Sequence, residues 1–325
     1  MMGLWRKIPE GWRSLLGLWA AILLLFGIGG MISPGFFSVS QAGAIFRSAS
    51  FIGLVAMGQT LAILIGGIDL SVGPLVSLGS VFGCLMLAGR DENNLWAISA
   101  ILLIGVAAGV LNGVGVSLLG ISPMVMTLAT GAIVTGAVLI YSQGAPTGNA
   151  SPALRAVGVG FTWSIPNSVL IWLALGAILS LVLKFTTFGR GIYYLGANET
   201  AARFSGLRVN FIKTAVYALS GLTAALTGII IAGYTSVAFV AAGRDYPMQS
   251  IAAAVIGGVA MTGGRGGYGG AAAGAVLLCL IESLLTNLNM QEPGRKIMNG
   301  LVIIMLMSFY YRKRLDAASK KKAAT

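Results

Sequence analysis

The sequence predicts an all-α polytopic membrane protein of about ten transmembrane helices in two weakly related halves. Three observations lead there. Hydrophobic residues make up 57% of the 325-residue chain and charged residues only 9%, whereas a soluble domain carries about a quarter charged residues. Apolar runs of spanning length recur from end to end, separated by short polar segments. The 21 Lys and Arg residues are concentrated in those segments, unequally on the two sides, and that bias sets orientation. The whole chain, 1–325, reads as one transmembrane domain.

Taken in order, the first apolar run, about 14–33, follows Arg6, Lys7 and Arg13 and ends at Ser33-Pro34-Gly35. It is long enough to span and no A-x-A cleavage site follows, so it is expected to be a retained first helix. Runs at about 48–67 and 70–88 are separated only by Ile68 and Asp69. Others follow at about 95–118, 122–142 and 164–184. A long polar segment, about 184–213, comes next. Runs at about 213–235, 247–262, 269–289 and 296–311 complete the set, before a basic tail at about 312–325. The run 70–88 and the Gly-rich 247–262 are compatible with full spans or with re-entrant, broken ones. Ten crossings place both termini in the cytoplasm, and fifteen of the 21 basic residues then lie inside. A faint repeat matches Met57, Ala62, Ile65, Gly66, Gly67 and Gly73 with Met248, Ala253, Ile256, Gly257, Gly258 and Gly264 at constant spacing. It suggests related halves around a central pathway.

Composition also excludes functions. The net charge of +12 sits in loops and at the ends, so topology accounts for it, with membrane lipid rather than nucleic acid as the partner. Cys84 and Cys279 lie in apolar runs and suggest neither a disulfide framework nor a metal site. The chain has no histidine, the commonest general base and metal ligand, and no catalytic set is evident. The Gly-rich stretch 263–270 is followed by no Gly-Lys-Ser/Thr and is no P-loop; it reads as a tight turn between helices.

Two regions could carry function. The first is the break Gly66-Gly67-Ile68-Asp69-Leu70-Ser71-Val72-Gly73-Pro74. Read locally, it ends one helix and Asp69 caps the next, with Pro74 tolerated in the early turns. Read functionally, a carboxylate near hydrocarbon marks a pathway, and Asp69 and Ser71 hold two half-helices in register. Gln59, Asn112, Thr127, Thr130 and Asn287 are polar residues within spans that either bond between helices or line a hydrated channel. Asn112 ends the small-residue pattern Gly105-x-x-x-Gly109-x-x-Asn112-Gly113, which favours close packing. Glu282 is the other acid within a span, open to a packing or a proton-relay role.

The second region is the polar segment 184–213. Asn198 is a good N-cap, Glu199 complements the helix dipole, Ala201 and Ala202 favour helix, and Gly206 suits a left-handed C′ position. The result is a helix of about two turns, too short to persist alone in water, so it must dock on something. Lys184, Arg190, Arg203, Arg208 and Lys213 put it on the cytoplasmic side.

These pieces occur together in one family. GGIDLSVG at 66–73, Asn112-Gly113 and Pro123-x-x-x-Thr127-Leu128-Ala129-Thr130 come first. Phe188-Gly189-Arg190, Gly196-x-Asn198-x-x-Ala201-Ala202-x-x-Ser205-Gly206 and the run Ile251 to Gly258 follow in order. Over nearly its whole length the chain resembles the permease subunits of ribose-type ATP-binding-cassette importers, which handle monosaccharides and related small polyols or signalling sugars. The resemblance implies that Asn198–Ser205 is a coupling helix seated in a separate ATPase subunit. Gly189, Arg190, Gly196, Asn198, Glu199, Ala201, Ala202, Ser205 and Gly206 would carry that coupling. It implies that ATP and Mg are held by the partner ATPase and that this chain binds no cofactor. It also implies a second permease chain, identical or sister, and an extracytoplasmic solute-binding protein meeting loops 143–163 and 236–246. The expected location is the bacterial inner membrane, with Gln59, Asp69, Ser71, Asn112, Thr127 and Thr130 along the translocation pathway. One departure stands out: where the family often has Glu-Leu-Asp, this chain has Pro247, Met248 and Gln249. The rival reading is a self-contained ion-coupled secondary transporter using Asp69 and Glu282. The scarcity of ionisable residues within spans weighs against it.

Overall fold

The computed structural model describes residues 10–298, 300–301 and 304–305. Arg6, Lys7, the basic tail 312–325 and part of the expected span 296–311 lie outside the described residues. In chain order the helices are α1 (Glu10–Ile32), α2 (Val39–Leu64), α3 (Val72–Leu87), α4 (Asn94–Ser117), α5 (Pro123–Tyr141) and α6 (Pro152–Val159). A two-residue hairpin, β1 (Phe161–Thr162) and β2 (Ile165–Pro166), precedes α7 (Asn167–Phe185). Then come α8 (Thr187–Ala197), α9 (Glu199–Phe204), α10 (Val209–Thr235), α11 (Tyr246–Ile256) and α12 (Tyr268–Asn287). The described residues from 292 onward are also helical.

Among the described residues, seven helices are long and apolar enough to cross a membrane: α1, α2, α4, α5, α7, α10 and α12. The fold is an all-α polytopic membrane protein. The two doubtful runs are the short ones. At 1.5 Å per residue, the 16 residues of α3 span about 24 Å and the 11 residues of α11 about 16 Å, against about 30 Å of hydrocarbon. The run 247–262 is therefore a half-helix followed by irregular chain, which returns to α12 through residues 257–267.

The two segments matched in sequence stop their helices in a similar way. At the end of α2, Gly66 (φ 79°) donates to Ile63 O and Gly67 to Ala62 O. At the end of α11, Gly258 (φ 88°) donates to Val255 O and Val259 to Ala254 O. Both are Schellman ends. The structure pairs Gly66 with Gly258, one residue out of step with the sequence match, because a positive φ rather than a shared letter defines the position.

α10 is the axis of the molecule, packed along α4, α3 and α2. Backbones touch in the α4 seam: a Cβ on Gly109 would stand 2.2 Å from Tyr217 O, and one on Gly113 2.4 Å from Thr214 Cα. Without water to drive helices together, such close contact supplies the association energy. α2 is buried from Ala49 to Leu64. On its far side Tyr268 of α12 donates to Gly53 O (3.0 Å) and accepts from Trp172 Nε1 of α7, tying three helices at one point.

Candidate coupling and pathway site

The polar segment holds one helix more than its sequence suggests. Thr186 caps α8, its Oγ1 accepting from Gly189 N at 3.0 Å. Gly189 permits the tight turn out of α7, since a Cβ there would lie 2.4 Å from both Val182 O and Leu183 O. Arg190 is exposed on this helix. At its other end, a Cβ on Gly196 would lie 1.8 Å from Leu64 O and 2.5 Å from Gly264 N. Leu64 O itself accepts from Gly264 N (2.9 Å), and Tyr193 Oη donates to Gly266 O (2.9 Å). α8 is thus seated directly on the end of α2 and on the segment 257–267.

α9 has the expected caps. Asn198 Oδ1 accepts from Ala201 N at 3.0 Å, and Gly206 (φ 78°) begins a Schellman end with Leu207 N donating to Ala202 O. The helix is six residues long, with Ala202 buried on its inner side and Ser205 Oγ donating to Ala201 O. Glu199 does more than complement the dipole: both its oxygens accept from Lys213 Nζ at 2.8 Å, and Arg203 bonds it at 3.0 Å. The Lys213 hydrogen bonds hold the Glu199 carboxyl below its ordinary value of 4.5. Two roles were not read from the sequence, that of Lys213, named there only for its charge, and that of Phe204. Lys213 is the tether of α9 to α10, and Phe204, 89% exposed, is an apolar tip on a polar helix. An aromatic flanked by Arg203 and Arg208 was the available signal.

The break between α2 and α3 is a buried polar cluster. Asp69 Oδ1 accepts from Ser71 N (2.9 Å) and Ser71 Oγ (2.6 Å). Ser71 Oγ accepts from Asn112 Nδ2 of α4 (2.9 Å), and Leu70 N donates to Thr127 Oγ1 of α5 (3.1 Å). Asp69, Ser71, Asn112 and Thr127 are fully buried. Asp69 is not the cap of α3, as its position suggested: Ser71 holds that place, and the carboxylate folds the preceding turn instead. Gln59 and Thr130 are buried too, but their side chains make no hydrogen bond among the described residues. Asn287 bonds within α12, to Ser283 O.

Beyond the break, Gly243 N donates to Ser77 Oγ (3.0 Å), clamping the turn 240–243 on α3. A cavity of about 240 Å³ opens beside it, with Pro74, Ser77, Thr135 and Arg244 among its lining residues. Pro247 sits in the first turn of α11 and packs where a Cβ on Gly73 would fall, 2.8 Å away. Met248 is exposed.

A buried polar break thus separates the full span α2 from the shorter α3, and a surface helix is tethered to α10; comparison with known proteins says what such a chain does. The profile of the family described as branched-chain amino acid transport system, permease component, matches residues 41–308. The chain belongs to this family. The ribose import permease protein of Haemophilus influenzae is 36% identical over 289 residues, covering 88% of this chain and 89% of that protein. That of Escherichia coli K12 is 36% identical over 305 residues, 92% and 94% of the two chains. The autoinducer 2 import system permease protein of Yersinia pseudotuberculosis is 34% identical over 300 residues, 90% and 84%. No solved structure matches significantly. The chain is a multi-pass membrane permease of the ATP-binding-cassette importer class.

Proposed function

We propose that this permease forms the translocation pathway for a small sugar and is driven through α9 by a separate ATPase subunit. The observation that carries this is the preformed α9. It is capped at both ends, held to α10 by the Glu199–Lys213 pair, and presents an exposed Phe204. A six-residue helix so prepared has its ordering cost reduced before any partner arrives. ATP and Mg belong to the partner. Binding of ATP closes the ATPase pair, the two α9 helices move together, and the pathway opens to receive solute. Both termini lie in the cytoplasm, on the side of α9. A second permease chain, identical or sister, completes the pathway, and an extracytoplasmic binding protein delivers solute to loops 143–163 and 236–246. The sugar assignment leans on the ribose import and autoinducer 2 import relatives. Gln59, Asp69, Ser71, Asn112, Thr127 and Thr130 are assigned to the walls of the route.

The test is capture of the ATPase subunit by the detergent-solubilised chain, repeated with 198–206 replaced by a Gly/Ser linker. Capture by the native chain and loss with the linker supports the reading. Equal capture by both, or uptake by the purified chain alone under an ion gradient, overturns it.

A further inference from the structure

The hairpin ahead of α7 is built to display apolar side chains. Its pairing, Phe161 with Pro166 and Thr162 with Ile165, leaves Trp163 and Ser164 as a two-residue turn. Both have positive φ, 49° and 66°. Asn-Gly would take that turn without strain, whereas a bulky Trp adopts it at a cost. Trp163 is nevertheless 90% exposed, with Phe161 and Ile165 also exposed. The finger is firmly held. Thr162 Oγ1 donates to Asn167 Oδ1 (2.7 Å), Asn167 Nδ2 donates to Ala156 O (2.7 Å), and Arg47 stacks 4.8 Å from the Phe161 ring centre while donating to Val159 O.

Two facts say what surrounds it. The 19 residues of α7 span about 28 Å, nearly the full hydrocarbon thickness. A hairpin ending at Pro166, immediately before α7, therefore lies at headgroup level. The exposed Leu173, Ile178 and Leu181 of α7 extend the same apolar surface inward. Moreover, residues 156–183 contain no charged side chain, and the Arg47 guanidinium beside the hairpin is turned onto the Phe161 ring and Val159 O, whereas a surface made for a soluble protein carries a polar, charged rim.

We propose that this hairpin is a lipid anchor, with Trp163 and Ile165 seated at the boundary between headgroups and acyl chains of the leaflet at the N-terminal end of α7. Tryptophan is favoured at that depth, where its ring is buried and its N–H stays wet. The anchor fixes the depth of α7, and through the Trp172–Tyr268 bond that of α2 and α12. This inference does not depend on the solute or on the ATPase; it takes Trp163, the last residue of loop 143–163, out of the surface offered to the binding protein and leaves the part of that loop before the hairpin to that contact.

The full chain is reconstituted in phosphatidylcholine vesicles containing acyl-brominated lipid, as native protein and as Trp163→Phe. The difference in emission isolates Trp163 from the other five of the six tryptophans. Bromine near the top of the acyl chain is expected to remove roughly half of that difference signal, and aqueous iodide little of it. Quenching by iodide but not by brominated lipid overturns the proposal. So does protection from both, which would mean that another protein surface covers the hairpin. A Trp163→Cys variant carrying an environment-sensitive dye gives the same readout independently, because Cys84 and Cys279 are buried.

Discussion

Ser71 is the residue on which the buried break turns. Its hydroxyl donates to Asp69 and accepts from Asn112, so one oxygen joins the turn to α4. Ser71→Ala removes both bonds and leaves the Asn112 amide and part of the Asp69 carboxylate unpaired in the interior. A loss of about 1–3 kcal/mol is expected, read as a lower Tm in detergent, with Ser71→Thr restoring most of it. An unchanged Tm would mean that a water molecule replaces the hydroxyl. Phe204 should behave in the opposite way. It is exposed and supports nothing in the fold, so Phe204→Ser should change stability by no more than about 0.5 kcal/mol. As an exposed aromatic at the centre of the proposed docking surface, it should weaken ATPase binding about tenfold or more, measured by surface-immobilised titration. Glu199 sets the pH response of the same helix. Its carboxyl is depressed in the folded protein, so its tether to Lys213 is fully present above the ordinary value of 4.5 and is lost as pH falls through the depressed one. Hydrogen exchange in α9 should therefore be flat from neutral pH down to about 5, with extra opening only in stronger acid. In Glu199→Gln that acid-dependent opening should vanish. Glu199 is 44% exposed, so solvent screening limits the tether to about 1 kcal/mol or less.

At the scale of elements, glycine works mainly by absence of volume. In the α4–α10 seam there is no space for a side chain at Gly109, so Gly109→Leu should push the helices apart and cost at least 1–3 kcal/mol, seen as poor yield or low Tm. Gly136, in the middle of α5, has open space where its Cβ would be. Gly136→Ala should be neutral or stabilise by roughly 0.5–1 kcal/mol, and the pair of variants separates packing from propensity. The seam was legible in sequence because its spacing is periodic, and α9 because its caps are local, within eight residues of one another. α8 was not. Gly189, Gly191 and Gly196 have low helix propensity, and only their contact with α2, α7 and α10 shows why glycine is needed inside a helix. The roles of Ser71 with Asn112 and of Glu199 with Lys213 were equally hidden, since each bond joins elements that only the tertiary fold brings together. For α11 the apolar pattern continued past Ile256, and a left-handed glycine ended the helix where hydropathy alone could not.

For the whole molecule, contact runs without a gap from α9 to the far side of the bilayer. α9 is capped onto α8. α8 rests through Gly196 on Leu64 O and Gly264, and α2 ends in the Asp69 turn. That turn starts α3, which is clamped through Ser77 to the turn 240–243 beside the cavity. Contiguity alone does not establish coupling; a variant that breaks one junction and spares the ends can. Gly196→Ala places a methyl against Leu64 O, which must shift α8, and α9 with it, away from the end of α2, while the capping hydrogen bonds within α9 and its exposed face are kept. Capture of the ATPase subunit should be retained. Uptake in reconstituted vesicles should fall about 2- to 30-fold, the range that a lost coupling contact produces. If capture falls in parallel with uptake, Gly196 merely shapes the docking surface. If uptake is unaffected, the movement of α9 reaches the pathway by a route other than the end of α2, and the direct packing of α10 on α3 becomes the junction to break next.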